Sequence, residues 1–174
     1  MVKKILIYNS GGGLGDTIQL FPLILSLKNH FNSSDFYYLG AHENHFIGKL
    51  KNYNIKIKTL DLKLQYFGFR WWHLLKAKSR FLELKIEKFD LVIDLQSKLR
   101  NTLILKRIPS SNFYSSTFNY NFCSSKKDYL SNSNLCQKTI LNLEKLLDVN
   151  IQKIDFDLNN KNQVYINEAK KLLP

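Results

Sequence analysis

The stretch KILIYNSGGGLGDTIQLFPLILSL, Lys4–Leu27, decides the fold class. Its first five residues, Lys4–Tyr8, are apolar without alternation, the pattern of a strand buried on both faces in a parallel sheet. Four glycines in five residues follow, Gly11, Gly12, Gly13 and Gly15, wrapped around Leu14. The run closes on Asp16, and the apolar-rich stretch Ile18–Phe31 then reads as a helix with a local distortion at Pro22. Strand, glycine turn and helix form the opening unit of an α/β layer fold. Glycine turns at this place commonly cradle phosphate, which a carboxylate repels, so Asp16 needs an explanation.

Working outward, Asp35–Leu39 reads as a second strand ended by Gly40, and Phe46–Tyr53 as a short helix. Ile55–Leu60 alternates like a third strand towards the sheet edge. Leu74, Leu75, Phe81, Leu82 and Ile86 recur at helical spacing with lysines between them. FDLVIDLQ, Phe89–Gln96, is the clearest strand after the first. Lys98–Arg107 reads as a helix stopping before Pro109, and Asn112–Ser115 as a short strand. The Ser/Asn-rich tract 115–134 reads as loop. Leu135–Leu147 is an amphipathic helix with Ile140, Leu143, Leu146 and Leu147 on one side, and Gln163–Leu173 a modest final helix. Strands alternating with helices predict an α/β domain with a largely parallel sheet.

The chain has 174 residues, enough for one domain or half of a larger protein. Its 26 Lys and Arg against 14 Asp and Glu give a net charge of +12. That charge admits nucleic acid, anionic membrane or phosphorylated substrates as partners without choosing among them. Lys also accompanies Asn and Ile in AT-rich genomes, and both abound here. Cys123 and Cys136 show neither metal spacing nor CxxC, and suit a reducing compartment as small buried residues. No stretch resembles a cleavable leader or a membrane span, and the chain reads as cytoplasmic.

The glycine loop fits neither common phosphate motif. Gly11 and Gly13 satisfy GxGxxG, but its third position is Asp16, and no Lys-Ser or Lys-Thr completes a P-loop. Asp16 as a helix N-cap is one reading. Capping alone does not require four glycines, which let another molecule approach the backbone closely. The loop also lies at the C-terminal end of the first strand, where open α/β sheets build their sites. A carboxylate facing a cleft there can take a proton from a hydroxyl, which is the other reading.

Lys3–Phe31 resembles the opening of the bacterial heptosyltransferase family, glycosyltransferase family nine, in Leu14-Gly15-Asp16 followed by Pro22. FDLVIDLQSKLRNTLILKRI, Phe89–Ile108, resembles the family's second motif in Asp94-Leu95-Gln96 and Arg100. The resemblance implies a Rossmann-like three-layer domain, the N-terminal, acceptor-side half of a two-domain glycosyltransferase-B fold. It implies inverting sugar transfer from a nucleotide-sugar to a lipopolysaccharide or other cell-surface glycan or glycolipid. Asp16 would be the catalytic base, and Gly12, Gly13, Leu14, Gly15, Gln96 and Arg100 would contact the acceptor. Neither metal nor cofactor is implied, since the nucleotide-sugar is a substrate held mainly by a C-terminal domain. Residues 1–174 would then be a fragment lacking that domain, inactive alone. Two departures stand out: Ser97 replaces the family's usual Gly, and the first loop carries more glycine than is common.

LQYFGFRWWHLLKAK, Leu64–Lys78, mixes rings with cations. Such a stretch suits a peripheral contact with an anionic inner-membrane surface. The expectation for Trp71 and Trp72 is nevertheless the core or a second domain. Lys106 and Arg107 read as a solvated helix face, and His42, His45 and His73 as surface or loop histidines. A nucleic-acid module is the alternative from another class, without a recognisable motif to support it. A nucleotide-cofactor domain is the third, opposed by Asp16.

Overall fold

The computed structural model describes residues 2–11, 13–40, 43–132 and 134–155. Gly12, His42 and the helix expected over Gln163–Leu173 lie outside the described residues. Five strands, β1 (Lys4–Asn9), β2 (Asp35–Gly40), β3 (Lys58–Thr59), β4 (Phe89–Asp94) and β5 (Ser110–Ser115), make one sheet in the order β3-β2-β1-β4-β5. Every pairing is parallel, and Ile7 of β1 lies between Tyr38 of β2 and Ile93 of β4.

Helices on both faces explain why β1 is apolar without alternation from Ile5 to Tyr8. Ile5 and Ile7 join a core with Leu23, Ile24 and Leu27 of α2 (Phe21–His30) and Ile140 and Leu143 of α5 (Leu135–Leu147). Leu6 and Tyr8 point the other way. They join a core with Ala77 and Phe81 of α3 (His73–Glu83) and Ile104 and Leu105 of α4 (Leu99–Leu105). Each fully buried Leu, Ile or Phe side chain among them contributes about 1.5–3 kcal/mol.

The expected helix over Ile18–Phe31 is two helices. The first, α1 (Leu14–Gln19), starts inside the glycine run, and the chain breaks at Leu20 before α2. Pro22 stands in the first turn of α2, where its missing N–H leaves no intrahelical bond unmade. β3 shrinks to two residues at the sheet edge, and the Phe46–Tyr53 helix to turns ending in a 3-10 turn, Lys51–Tyr53. Ser115 ends β5, and residues 116–132 are loop, pinned by Tyr120 against Tyr114 and Tyr129. Within it Ser124 donates its N–H to Phe113 O and its hydroxyl accepts the Phe113 N–H, covering part of the β5 edge. Of the cysteines, Cys136 is buried and Cys123 half-buried, both as free thiols.

The strand order positions the site. The chain steps from β1 outward to β2 and β3, then returns to β4 and β5 on the other side of β1. The loops after β1 and β4 therefore diverge at the carboxyl end of the sheet, the switch point where open α/β sheets place ligands.

Candidate active site

Asn9, the last residue of β1, organises the switch point. Its Oδ1 accepts the Gly11 N–H at 3.1 Å and the Gln96 side-chain N–H at 2.6 Å, tying the two loops together. A Cβ on Gly11 would stand 3.1 Å from that same Oδ1 and 2.9 Å from Asp16 Oδ2. On Gly13 it would stand 3.2 Å from Asp16 Oδ2. The Asp16 carboxylate thus fills the space that side chains at Gly11 and Gly13 would take. The glycines of this loop admit a carboxylate of the chain itself. Nothing lies within 4 Å of a Cβ built on Gly15, and Leu14, Gly15 and Asp16 are exposed. The structure therefore brings the Gly13–Asp16 loop of the first motif close to Gln96 of the second.

The capping reading of Asp16 is corrected. Gly13 is the N-cap of α1 and Asp16 is the third helical residue, with no side-chain cap bond at this helix start. The physical reason is that the helix begins earlier than the apolar pattern suggests: Thr17 N–H already donates to Gly13 O. Among the described residues no hydrogen bond engages the Asp16 carboxylate, and the residue is exposed. Asn9 escapes a reading of sequence motifs, and so does Tyr38 of β2. The Tyr38 hydroxyl interacts with the Thr17 and Asn9 side chains and feels the Asp16 charge, while burial raises its pKa.

Beneath Gln96 the β4 end is closed by a buried polar knot. Asp94 accepts from the Thr102 hydroxyl at 2.5 Å, the Ser115 hydroxyl at 2.9 Å and Gln96 N–H at 3.0 Å. Ser97 follows with φ +55°, a left-handed conformation that costs any residue with a Cβ. A glycine at this position would adopt that conformation without the cost. Burial raises the Asp94 carboxyl above its ordinary range, against those hydrogen bonds, which lower it. A raised native pKa means the native state holds the proton more tightly than the unfolded chain. This contribution to stability is complete below the ordinary carboxyl pKa and is lost as pH rises through the native value. Asp94→Asn removes the titration and keeps an acceptor for Gln96. Urea melts from about pH 4 to 7 should show the variant gaining on the wild type as pH rises. A constant difference would show that Asp94 titrates normally.

Arg100 is on α4, with part of its guanidinium engaged by the chain itself. Its Nε donates to Gly68 O at 2.8 Å and its guanidinium stands 5.9 Å from the Phe69 ring. Its Nη groups donate to no described residue. Arg100 belongs to a latch holding the loop before α3. There the Tyr8 hydroxyl donates to Phe67 O at 3.0 Å and accepts from Asn101 Nδ2 at 3.0 Å, and Gly68 N–H donates to His73 Nδ1. His73 is therefore a buried neutral imidazole, its pKa lowered by burial and by Arg70, Arg100 and Lys76, and not a surface residue. His45 is likewise buried. Trp71 and Trp72 are exposed, at 58% and 49%, so of the two expected places, the core or a second domain, they do not occupy the core of this domain. Lys106 and Arg107 are exposed as expected.

A cleft of about 410 Å³ runs along the carboxyl ends of β2 and β3, from Tyr38 past Asn44 and Thr59 to Tyr66. Larger cavities lie elsewhere, one of about 570 Å³ being lined by Lys28, Phe36 and Lys56 without Asp16. Among the described residues no group of three or more His, Cys, Asp or Glu is placed to hold a metal ion, and no helix is long and apolar enough to cross a membrane.

No family model matches the sequence, and no curated protein matches it. Solved structures do match. The chain superposes on the Escherichia coli heptosyltransferase WaaC with ADP at a TM-score of 0.59 and 12% identity, covering 88% of this chain and 50% of that one. WaaC with ADP-2-deoxy-2-fluoro heptose gives 0.58 and 14% over the same shares. A family 9 glycosyl transferase from Veillonella parvula gives 0.59 and 17%, over 99% of this chain and 50% of that one. The fold is that of one half of such a glycosyltransferase. The chain spans about half the length of the solved structures it matches.

Proposed function

We propose that residues 1–174 are the acceptor-side half of an inverting glycosyltransferase, with Asp16 as general base. The observation that carries this is the exposed Asp16 carboxylate over Gly11 and Gly13, at the switch point and beside the Asn9–Gln96 pair. In the proposed step an acceptor hydroxyl oxygen attacks the anomeric carbon of a nucleotide-sugar. The bond from that carbon to the nucleotide oxygen breaks, its electron pair leaves with the nucleoside diphosphate, and the hydroxyl proton passes to Asp16. Attack opposite the leaving group inverts the configuration. The cleft from Tyr38 to Tyr66 is the seat for the rest of the acceptor, and the Arg100 Nη groups suit its phosphate or carboxylate groups. The acceptor is a lipopolysaccharide or related cell-surface glycolipid, met at the cytoplasmic face of the inner membrane. WaaC has been solved with ADP and with a fluoro-heptose nucleotide, which supports a nucleotide-heptose as the first donor to try.

The test is transfer from ADP-heptose to a glycolipid acceptor by a protein carrying both halves, with the product's anomeric configuration read by NMR. Acceptor-dependent release of ADP with inversion is expected. The 174-residue chain alone should give no turnover, because transfer needs donor and acceptor held together. Retention of configuration, or turnover by the 174 residues alone, would overturn the assignment.

A further inference from the structure

Helix α3 has two apolar faces where a surface helix needs one. Ala77 and Phe81, following buried His73, pack into the core below. At about 100° per residue, Trp72, Leu75, Ser79 and Leu82 fall on the opposite side. Leu75 is 78% exposed and Leu82 57%, so this second stripe faces solvent. Lys76 borders the stripe on one side and Lys78 on the other, both exposed. Just before the helix, Tyr66, Phe69 and Trp71 add three exposed rings. Arg70 stacks on the Trp72 ring at 4.7 Å. From Leu62 to Leu82 the chain carries Lys63, Arg70, Lys76, Lys78 and Arg80 and no acid at all.

We infer that this surface, Tyr66 to Leu82, docks the protein on an anionic lipid bilayer, lying in the interface without crossing it. The apolar stripe sinks among the acyl-chain boundary groups, and the flanking lysines reach outward to lipid phosphates. Charge complementarity selects a bilayer bearing anionic headgroups over a purely apolar protein face, because the apolar stripe is bordered by cations with no acid among residues 62–82 to balance them. The backbone beneath the rings is held in place. Tyr8 fastens Phe67, Arg100 fastens Gly68, and His73 accepts from Gly68, so the rings are presented without a further ordering cost. The same latch joins the patch to β1 and α4, which carry the candidate site. The inference concerns binding and stands whether or not the chain transfers sugar.

Trp71 and Trp72 are the chain's only tryptophans, so tryptophan emission, excited beyond tyrosine absorption, reads this surface. Vesicles of phosphatidylcholine with one third phosphatidylglycerol should shift the emission to the blue and co-sediment the chain. Pure phosphatidylcholine should do so weakly, and added salt should reduce the difference. Trp72→Ser/Leu75→Ser/Leu82→Ser should weaken binding about tenfold or more, with Trp71 left as reporter. Arg70→Gln/Lys76→Gln/Lys78→Gln should remove the preference for anionic vesicles, by about 10²-fold at low salt. Far-ultraviolet circular dichroism identical to wild type shows that the variants fold. Three results would overturn the inference. One is no blue shift on anionic vesicles. Another is binding unchanged in both variants, which assigns it to the general +12 charge. The last is an emission shift that follows protein concentration without lipid, which assigns the patch to a second copy of the chain.

Discussion

If Asp16 is the proposed base, Asp16→Asn is expected to lower transfer by about 10²–10⁴-fold in a protein carrying both halves, with KM for the donor little changed. The amide is nearly the shape of the carboxylate and still fits over Gly11 and Gly13, but it cannot accept the acceptor proton. Asp16→Ala should lose activity to a similar degree. Neither variant should lose more than about 1 kcal/mol of stability. Gly13 already caps α1, and what remains is an acid in the first turn of a six-residue helix. Rate and thermal midpoint for both variants check this together. A cap would produce the opposite pattern, with Asn active and Ala unstable. Full activity in Asp16→Asn would remove Asp16 from the chemistry and leave the fold assignment untouched.

Gly68→Ala destabilises the domain by about 2–4 kcal/mol. Gly68 sits at φ +89°, and a Cβ there would stand 2.3 Å from the Tyr8 hydroxyl and 3.0 Å from Asn101 Cγ. Neither neighbour can yield cheaply. Tyr8 is fully buried on the central strand with its hydroxyl bonded to Phe67 O, and Asn101 is bonded to that hydroxyl. The strain should couple to Tyr8. In a Tyr8→Phe background the cost of Gly68→Ala should fall by about 1 kcal/mol or more, measured by urea unfolding of all four proteins. Strict additivity would show that the penalty comes from the backbone conformation alone. Because the latch carries Trp71 and Trp72, Gly68→Ala should also weaken the vesicle response, linking fold, surface and site through one glycine.

Some features were readable in the residues because their causes are local or periodic. Ile5–Tyr8 of β1 and Leu91–Ile93 of β4 are apolar without alternation, and α5 matches its expected range from Leu135 to Leu147. Parallel pairing followed from those patterns. With it came the meeting of the Gly13–Asp16 and Gln96 loops, since both leave carboxyl ends of adjacent strands. Hydrophobic period could not place the start of α1, which depends on Gly13 accepting the first helical bond. It could not separate the two apolar faces of α3 either. Leu75 and Phe81 are equally apolar in a pattern, and only the position of the sheet decides which is covered.

The amino-acid sequence by itself therefore determined the α/β class, the central strands and the carboxylate at the end of the first. Burying continuous apolar runs leaves few layer arrangements, and a glycine turn after such a run marks where chemistry can sit. Tertiary structure alone decided that Asn9 joins the two loops, that Arg100 and Tyr8 lock Gly68, and that the tryptophans face outward. Gln96 and Asn9 are 87 residues apart, and Tyr8 and Phe67 are 59 apart. Contacts over such separations follow from the path of the folded chain, and no local spacing encodes them.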